Sequence, residues 1–500
     1  MKFGLEALLL TATLCSTAAF IDPDKSGPGP LSVKLRRQQI PLHAVGGMVH
    51  HKSAYYGSLS LGGPNSQVFD VVFDTGSGHL VVPSAICKAE TCKKHRRYRR
   101  KASATAKDID VDGTVVQPWH PRDQITVSFG TGEVTGIFIK DKVCLGDVES
   151  QEPAQQGSSM MQKGFQRMPI PNKTVVAEED TVADHKDTQG QGSDGGSKAE
   201  AEVQPSLPSG CLDLRFVAAL DMTDDPFSSF KFDGVVGLGL QSLSQTPEFN
   251  FVEAGARAGA WGADPFTRRI FSVYLAFSQE EESEITFGGW LPEHMHAGDS
   301  HAWCNAVDYQ EGHWQLKVYG ITAGGQKLDY CDDGTCRAVV DTGTSLLGVP
   351  TQLGPELIQN LRYVDKNPDS DCHNPGPRLE IDLGNFTLVL DPSNYARPEI
   401  VPEASALGLE QDVDSNRTSS ATVPIKSDTD EGSKAEGTVG KSCVPMIMHI
   451  DLPQPLSPKT LILGEPVLQR YYTIFDTHAP RVGFAEAKHK FLHGEHVVTV

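Results

Sequence analysis

No stretch of this 500-residue sequence approaches the roughly 18 consecutive apolar residues of a membrane-spanning helix, so no membrane anchor is expected. Positive charge is scarce as well. With 44 Lys and Arg against 64 Asp and Glu the formal net charge is -20, which argues against a nucleic-acid partner and for solubility. The 17 histidines are scattered, and pairs such as His50-His51 have no further ligands at a useful spacing, so neither a metal nor another cofactor is implied. Two stretches, 149–210 and about 402–441, have almost no aromatic residues and are rich in Gly, Ser, Gln, Asp, Glu and Lys. They hold too little apolar area to offset their ordering entropy and are expected to be disordered surface insertions.

What the sequence does have is the tripeptide Asp-Thr-Gly twice, as Asp74-Thr75-Gly76 and Asp341-Thr342-Gly343. Chance would give two copies roughly one time in a hundred at average residue frequencies. The flanks match too: Val71-Val72-Phe73 precedes the first copy, Ala338-Val339-Val340 the second, and Ser77 and Thr344 follow. One structural half is written twice. Two carboxylates about 3 Å apart cannot both ionise, so one holds a proton while the other stays charged. Such a pair supplies the base that activates a water and the acid that protonates a carbonyl oxygen or leaving amine. Short β-rich runs between Gly, Pro and Asn turns, such as 56–62, 124–129 and 378–383, predict an all-β chain, with one helix over 249–260.

With these motifs the chain resembles the pepsin-like aspartic endopeptidases from about Tyr55 to about Ala487, broken by the two insertions. Phe232-Asp233-Gly234-Val235-Val236-Gly237-Leu238-Gly239 and Leu461-Ile462-Leu463-Gly464 resemble the apolar-Gly strands of the two lobes, and Ser128-Phe129-Gly130-Thr131-Gly132 the tip of the flap. The resemblance implies a bilobal all-β fold with the site in the cleft, and hydrolysis of peptide bonds by Asp74 and Asp341. Gly76, Ser77, Phe129, Gly130, Thr131, Gly343 and Thr344 would then meet the substrate, while Thr75 and Thr342 would lock the turns together. It also implies an acidic optimum, apolar residues around the scissile bond, protein or peptide substrates and a monomer.

Met1 to Phe20 reads as a signal peptide cut near Ala19, followed by a short prosegment over 20–52. The lobes would cover 53–270 and 271–490, with a tail over 491–500. The address is the secretory pathway, with secretion, an acidic vacuole or a granule all open. The resemblance implies disulfides Cys87-Cys92, Cys331-Cys336 and Cys372-Cys443; with those taken, Cys144 is left for Cys211 and Cys304 stays free. Glycosylation sequons stand at Asn172, Asn385 and Asn416.

The chain also departs from the family. Phe129 stands where the flap usually carries Tyr, and Val81 where that Tyr finds a Trp partner, so a hydrogen bond worth about 1 kcal/mol is expected to be lost. A basic prosegment residue would pair with the two aspartates, with Lys34, Arg36 and Arg37 as candidates. His79 and His313 lie where they would add a titration or simply pack. The basic run Lys93 to Lys101 reads as a solvated loop, a processing site at 97–100 or an exosite. Two rival functions remain at this point, a peptide-binding protein on the same fold and a glycosidase with more widely spaced carboxylates.

Overall fold

The computed structural model describes residues 29–43, 49–117, 119–130, 132–146, 209–262, 264–296, 298–367, 369–399, 422–424 and 439–490. The signal peptide, most of both insertions, Asn172, Asn416, Thr131 and the tail lie outside them.

Each Asp-Thr-Gly sits at the end of a strand in a small motif that occurs twice. In the first half Gln67–Asp74 pairs in parallel with Gly234–Gly237, which pairs antiparallel with Leu80–Pro83, itself parallel to Cys211–Met222. In the second half Arg337–Val340, Thr460–Leu463, Leu347–Val349 and Ile447–His449 repeat those pairings and directions. The strands are continuous apolar runs because both faces are covered, and Val71, Val236, Val340 and Leu463 have no exposed surface. Glycine closes the crossing in each half. A Cβ on Gly237 would lie 2.3 Å from the His79 nitrogen, and one on Gly464 2.3 Å from the Leu346 oxygen. Only a residue without a side chain lets the backbones approach that closely.

A 14-stranded sheet joins the halves. Its middle is Leu31–His43, bonded on one edge to Ser283–Phe287 (Leu31 opposite Phe287) and on the other to Val49–Leu61 (Arg36 opposite Tyr56). The basic residues of this strand do not reach the aspartates, which corrects the sequence expectation. Lys34 pairs with Glu282 at 2.6 Å, Arg36 with Asp70, and Arg37 with Glu465. Alternation along the strand places Lys34 and Arg36 on the face opposite the buried Val33 and Leu35, pointing away from the core, whereas Arg37 shares the face of those two residues and is held inward by the buried Glu465.

Helices at Gly354–Leu361 and Glu465–Arg470 were not read from the sequence, and the helix read over 249–260 runs Phe251–Ala258. Asn250 caps it by accepting the Glu253 N–H at 3.0 Å, and Gly259 ends it in the left-handed region at φ 66°. Within the second insertion Thr422–Pro424 pairs with Val439–Pro445, so a short strand ladder intrudes on a stretch read as unstructured. Asn385 is exposed in the turn between Leu379–Asp382 and Thr387–Leu390.

Four disulfides join Cys87 to Cys92, Cys144 to Cys211, Cys331 to Cys336 and Cys372 to Cys443. Cys144 and Cys211 face each other in register, closing the base of the first insertion. Cys304 is free and buried in Ala302–Asn305, and burial pushes its thiol up to about 11, which makes it a poor nucleophile. Most of the 93–101 run is exposed, but Tyr98 is fully buried. Its hydroxyl donates to Asp141 at 2.6 Å and its N–H to the Pro83 carbonyl at 2.7 Å. A protease would have to pull this ring out of the core to cut at 97–100. Among the described residues no helix is long and apolar enough to cross a membrane.

Candidate active site

The two Asp-Thr-Gly turns meet where the halves join, and the threonines hold them reciprocally. Thr75 N–H donates to Thr342 Oγ1 and Thr342 N–H to Thr75 Oγ1, both at 3.0 Å. Each hydroxyl then crosses to the opposite strand, Thr75 to the Val340 carbonyl at 2.8 Å and Thr342 to the Phe73 carbonyl at 2.6 Å. Four bonds link residues more than 250 positions apart.

Within each turn the glycine N–H donates back to its own aspartate, Gly76 to Asp74 at 2.9 Å and Gly343 to Asp341 at 2.8 Å. The glycines also admit the other half's carboxylate. A Cβ on Gly76 would lie 2.9 Å from Asp341 Oδ1, and one on Gly343 2.4 Å from Asp74 Oδ1. The carboxyls therefore face one another over two residues that cannot be anything larger. Thr344 Oγ1 donates to Asp341 Oδ2 at 2.6 Å. The match on the other side is incomplete: Ser77 Oγ is buried without a partner in ordinary hydrogen-bond geometry, although it is near enough to Asp74 to favour its charged form.

Electrostatics follows from this geometry. Burial first, and the facing Asp341 charge second, hold the Asp74 carboxyl well above the usual carboxylate range, against the opposing pull of Ser77 and the Gly76 N–H. The pair titrates as a unit.

A cleft of about 310 Å³ opens over the pair. The hairpin of Gln124–Phe129 and Gly132–Leu145 contributes Ser128, Phe129 and Gly130 to its lining. Phe129 is half-buried and packs edge-on against Phe227 with ring centroids 5.7 Å apart. Phe227, Phe230 and Phe232 continue an apolar wall, and Leu346 and Met448 line the cleft from the second half. Val81 is buried in the same apolar cluster. Phe232 opens the apolar-Gly strand read from the sequence, but Phe227 and Phe230 were not singled out there, because Asp-Pro-Phe-Ser-Ser-Phe shows no strand alternation. Lys52 and Ser345 were also missed. Lys52 lines the cleft with its Nζ 4.0 Å from Asp225, and Ser345 bonds both the N–H and the carbonyl of Ser53.

His79 and His313 stand beside the site without entering its hydrogen bonds. His79 is 4% exposed, its Nε2 accepts the Gln245 N–H at 3.1 Å, and burial pushes it down to about 4. Because the folded value lies below the ordinary 6.5, the unfolded chain takes the proton first as pH falls. Stability is complete above 6.5 and drops as pH falls toward 4, by about 3 kcal/mol. His79→Gln keeps an acceptor for Gln245 and should flatten this loss, measured as the difference in Tm between pH 7 and pH 4. An unchanged difference would assign the acid sensitivity elsewhere. His313 is held below its ordinary range, chiefly by burial, and its Nδ1 has no partner among the described residues.

Two strand-end aspartates thus lie side by side on cross-locked turns beneath a hairpin. The chain belongs to the eukaryotic aspartyl protease family, a family of peptide hydrolases, which it matches over residues 54–168 and 211–487. Its architecture is the bilobal pepsin-like one. Among its relatives are cathepsin E of Rattus norvegicus, 25% identical over 87% of this chain and 80% of the relative, and gastricsin of Mus musculus, 26% identical over 88% and 82%. Plasmepsin VIII of Plasmodium berghei is 24% identical over 88% of both chains.

Proposed function

We propose that the protein is an active aspartic endopeptidase in which Asp74 and Asp341 share one proton and one water. The observation that carries this reading is the mutual approach of the carboxyls, each over the other turn's glycine, with Asp74 driven toward its protonated form. The charged member takes a proton from the water, which attacks the scissile carbonyl. The protonated member gives its proton to the carbonyl oxygen, and the roles exchange as the intermediate collapses to release the amine. Aspartic proteases are a standard case of two carboxylates sharing a proton.

The substrate lies extended under the hairpin, with bulky apolar side chains against Phe129 and Phe227. Gly76, Ser77, Gly130, Gly343 and Thr344 approach its backbone; Thr131 was assigned to the same group and lies outside the described residues. Four disulfides favour maturation in the oxidising secretory pathway. The test is cleavage of an unfolded protein between pH 3 and pH 8. Activity should be greatest on the acid side and blocked by a statine-type transition-state analogue. Turnover that peaks above neutral pH, or that ignores the analogue, would remove this reading.

A further inference from the structure

A second cavity, of about 380 Å³, lies where Leu31–His43 meets the second half. Its polar lining is dominated by donors. Arg37 and Arg397 bring two guanidinium groups, and Gln39, Gln279, Gln469 and Ser278 bring neutral polar groups. His373 and Asp371 complete one side, paired through His373 Nδ1 and Asp371 Oδ2 at 2.8 Å.

Arg397 is poorly satisfied for a half-buried cation. It donates to the neighbouring Ala396 carbonyl at 2.6 Å and faces His373 Nε2 at 3.5 Å. Among the described residues no carboxylate comes within ion-pair distance of it, although Glu465 and Asp371 act on it from farther off. Glu465 is already engaged by Arg37, Tyr55 and Gln469. Arg37 in turn has a buried Nε without a partner. A cation partly removed from water with no carboxylate in contact favours a bound anion.

The site is also built rather than incidental. Cys372, between Asp371 and His373, is tied by a disulfide to Cys443. Cys443 stands opposite Pro398, and Val444 opposite Arg397, in one antiparallel ladder. The disulfide thus fixes His373 against Arg397 with little freedom left to lose on binding.

We propose that this cavity is a binding site for a tetrahedral oxyanion of the phosphate class, free or as a small monoester, held between the guanidinium groups of Arg37 and Arg397. Planar guanidinium forks match such oxygens better than an ammonium does. Because Arg37 lies on Leu31–His43 and Arg397 in the second half, the ligand would pin that strand to the rest of the molecule. The site is separate from the aspartate cleft and does not depend on peptide hydrolysis.

The test is titration calorimetry of the full chain with inorganic phosphate and, in a second arm, glycerol 2-phosphate, each against chloride at equal ionic strength. Saturable binding at one site per chain is expected, and the tighter arm identifies the source as free anion or monoester. Arg397→Gln should weaken binding by about tenfold or more. If that variant fails to fold, Arg397→Lys keeps the charge without the fork and should still weaken it. Asp74→Asn should bind as the parent does, which separates this site from the protease reading. Absence of saturable binding in both arms, or unchanged affinity in the folded Arg397 variants, would overturn the proposal.

Discussion

Asp74→Asn should lower peptide hydrolysis by at least about a thousandfold while making the folded protein more stable near neutral pH. The loss follows from the proposed chemistry. An amide at Asp74 can neither accept the water's proton nor deliver one to the carbonyl oxygen, and Asp341 cannot fill both roles. The gain in stability follows from the sign of the Asp74 shift. Its carboxyl lies above the ordinary range in the folded state, so its contribution is fully present below pH 3.8 and is lost as pH rises through the folded value. Asparagine removes the titrating group and with it that loss. Unfolding curves for parent and variant should therefore lie closest at pH 3 and diverge toward pH 7, the variant having the higher Tm. The two readouts separate the mechanism from simple damage, since a misfolded variant would lose activity and stability together. A variant with substantial activity would reassign the chemistry.

The second large effect is expected at Arg37. Its partner Glu465 is only 7% exposed and also accepts from the Tyr55 hydroxyl at 2.9 Å and from the Gln469 amide at 3.1 Å. Arg37→Met would leave a buried carboxylate bonded only to neutral donors, with the Arg397 charge acting from farther off, at a cost of about 3–5 kcal/mol in denaturant unfolding. Adding Glu465→Gln should recover most of it, because the uncompensated charge has then gone too. A double variant no better than the single one would show that the arginine acts through packing over Tyr55, whose ring centroid lies 5.6 Å from the guanidinium carbon. The same reasoning bears on maturation. Cutting at residue 52 and losing everything before it would strip Glu465 of its cation and take out the strand between Ser283–Phe287 and Val49–Leu61.

The turns were the most legible part of the chain, because the geometry there depends on residue types that admit few substitutes. Gly76 and Gly343 must pass a carboxylate, and Gly237 and Gly464 must pass a backbone, so each leaves its mark in the local sequence. The place of Leu31–His43 was not legible in that way. Lys34, Arg36 and Arg37 find acids 248, 34 and 428 residues away, and no local pattern announces partners so distant. The flap was legible as a hairpin but its energetics were not. The sequence comparison counted a missing hydrogen bond at Phe129 and Val81, whereas both side chains belong to one apolar cluster with Phe227 and Phe232. Replacing donor and acceptor together by packed hydrocarbon is close to neutral, unlike the loss of one partner. Tyr98 gives a similar lesson, since the seven Lys and Arg of the 93–101 run disguise a ring that is fully inside.

The threonine lock also has a consequence for biosynthesis. Thr75 and Thr342 are 267 residues apart, and the bonds that lock the two turns to each other need both halves of the chain. A nascent polypeptide emerging from the ribosome would therefore carry Asp74 long before its counterpart exists, and an inert N-terminal half would wait for the second half to be translated and to dock. On the proposed mechanism an unfinished copy is inert, because its two aspartates meet only when contacts between the two halves have formed.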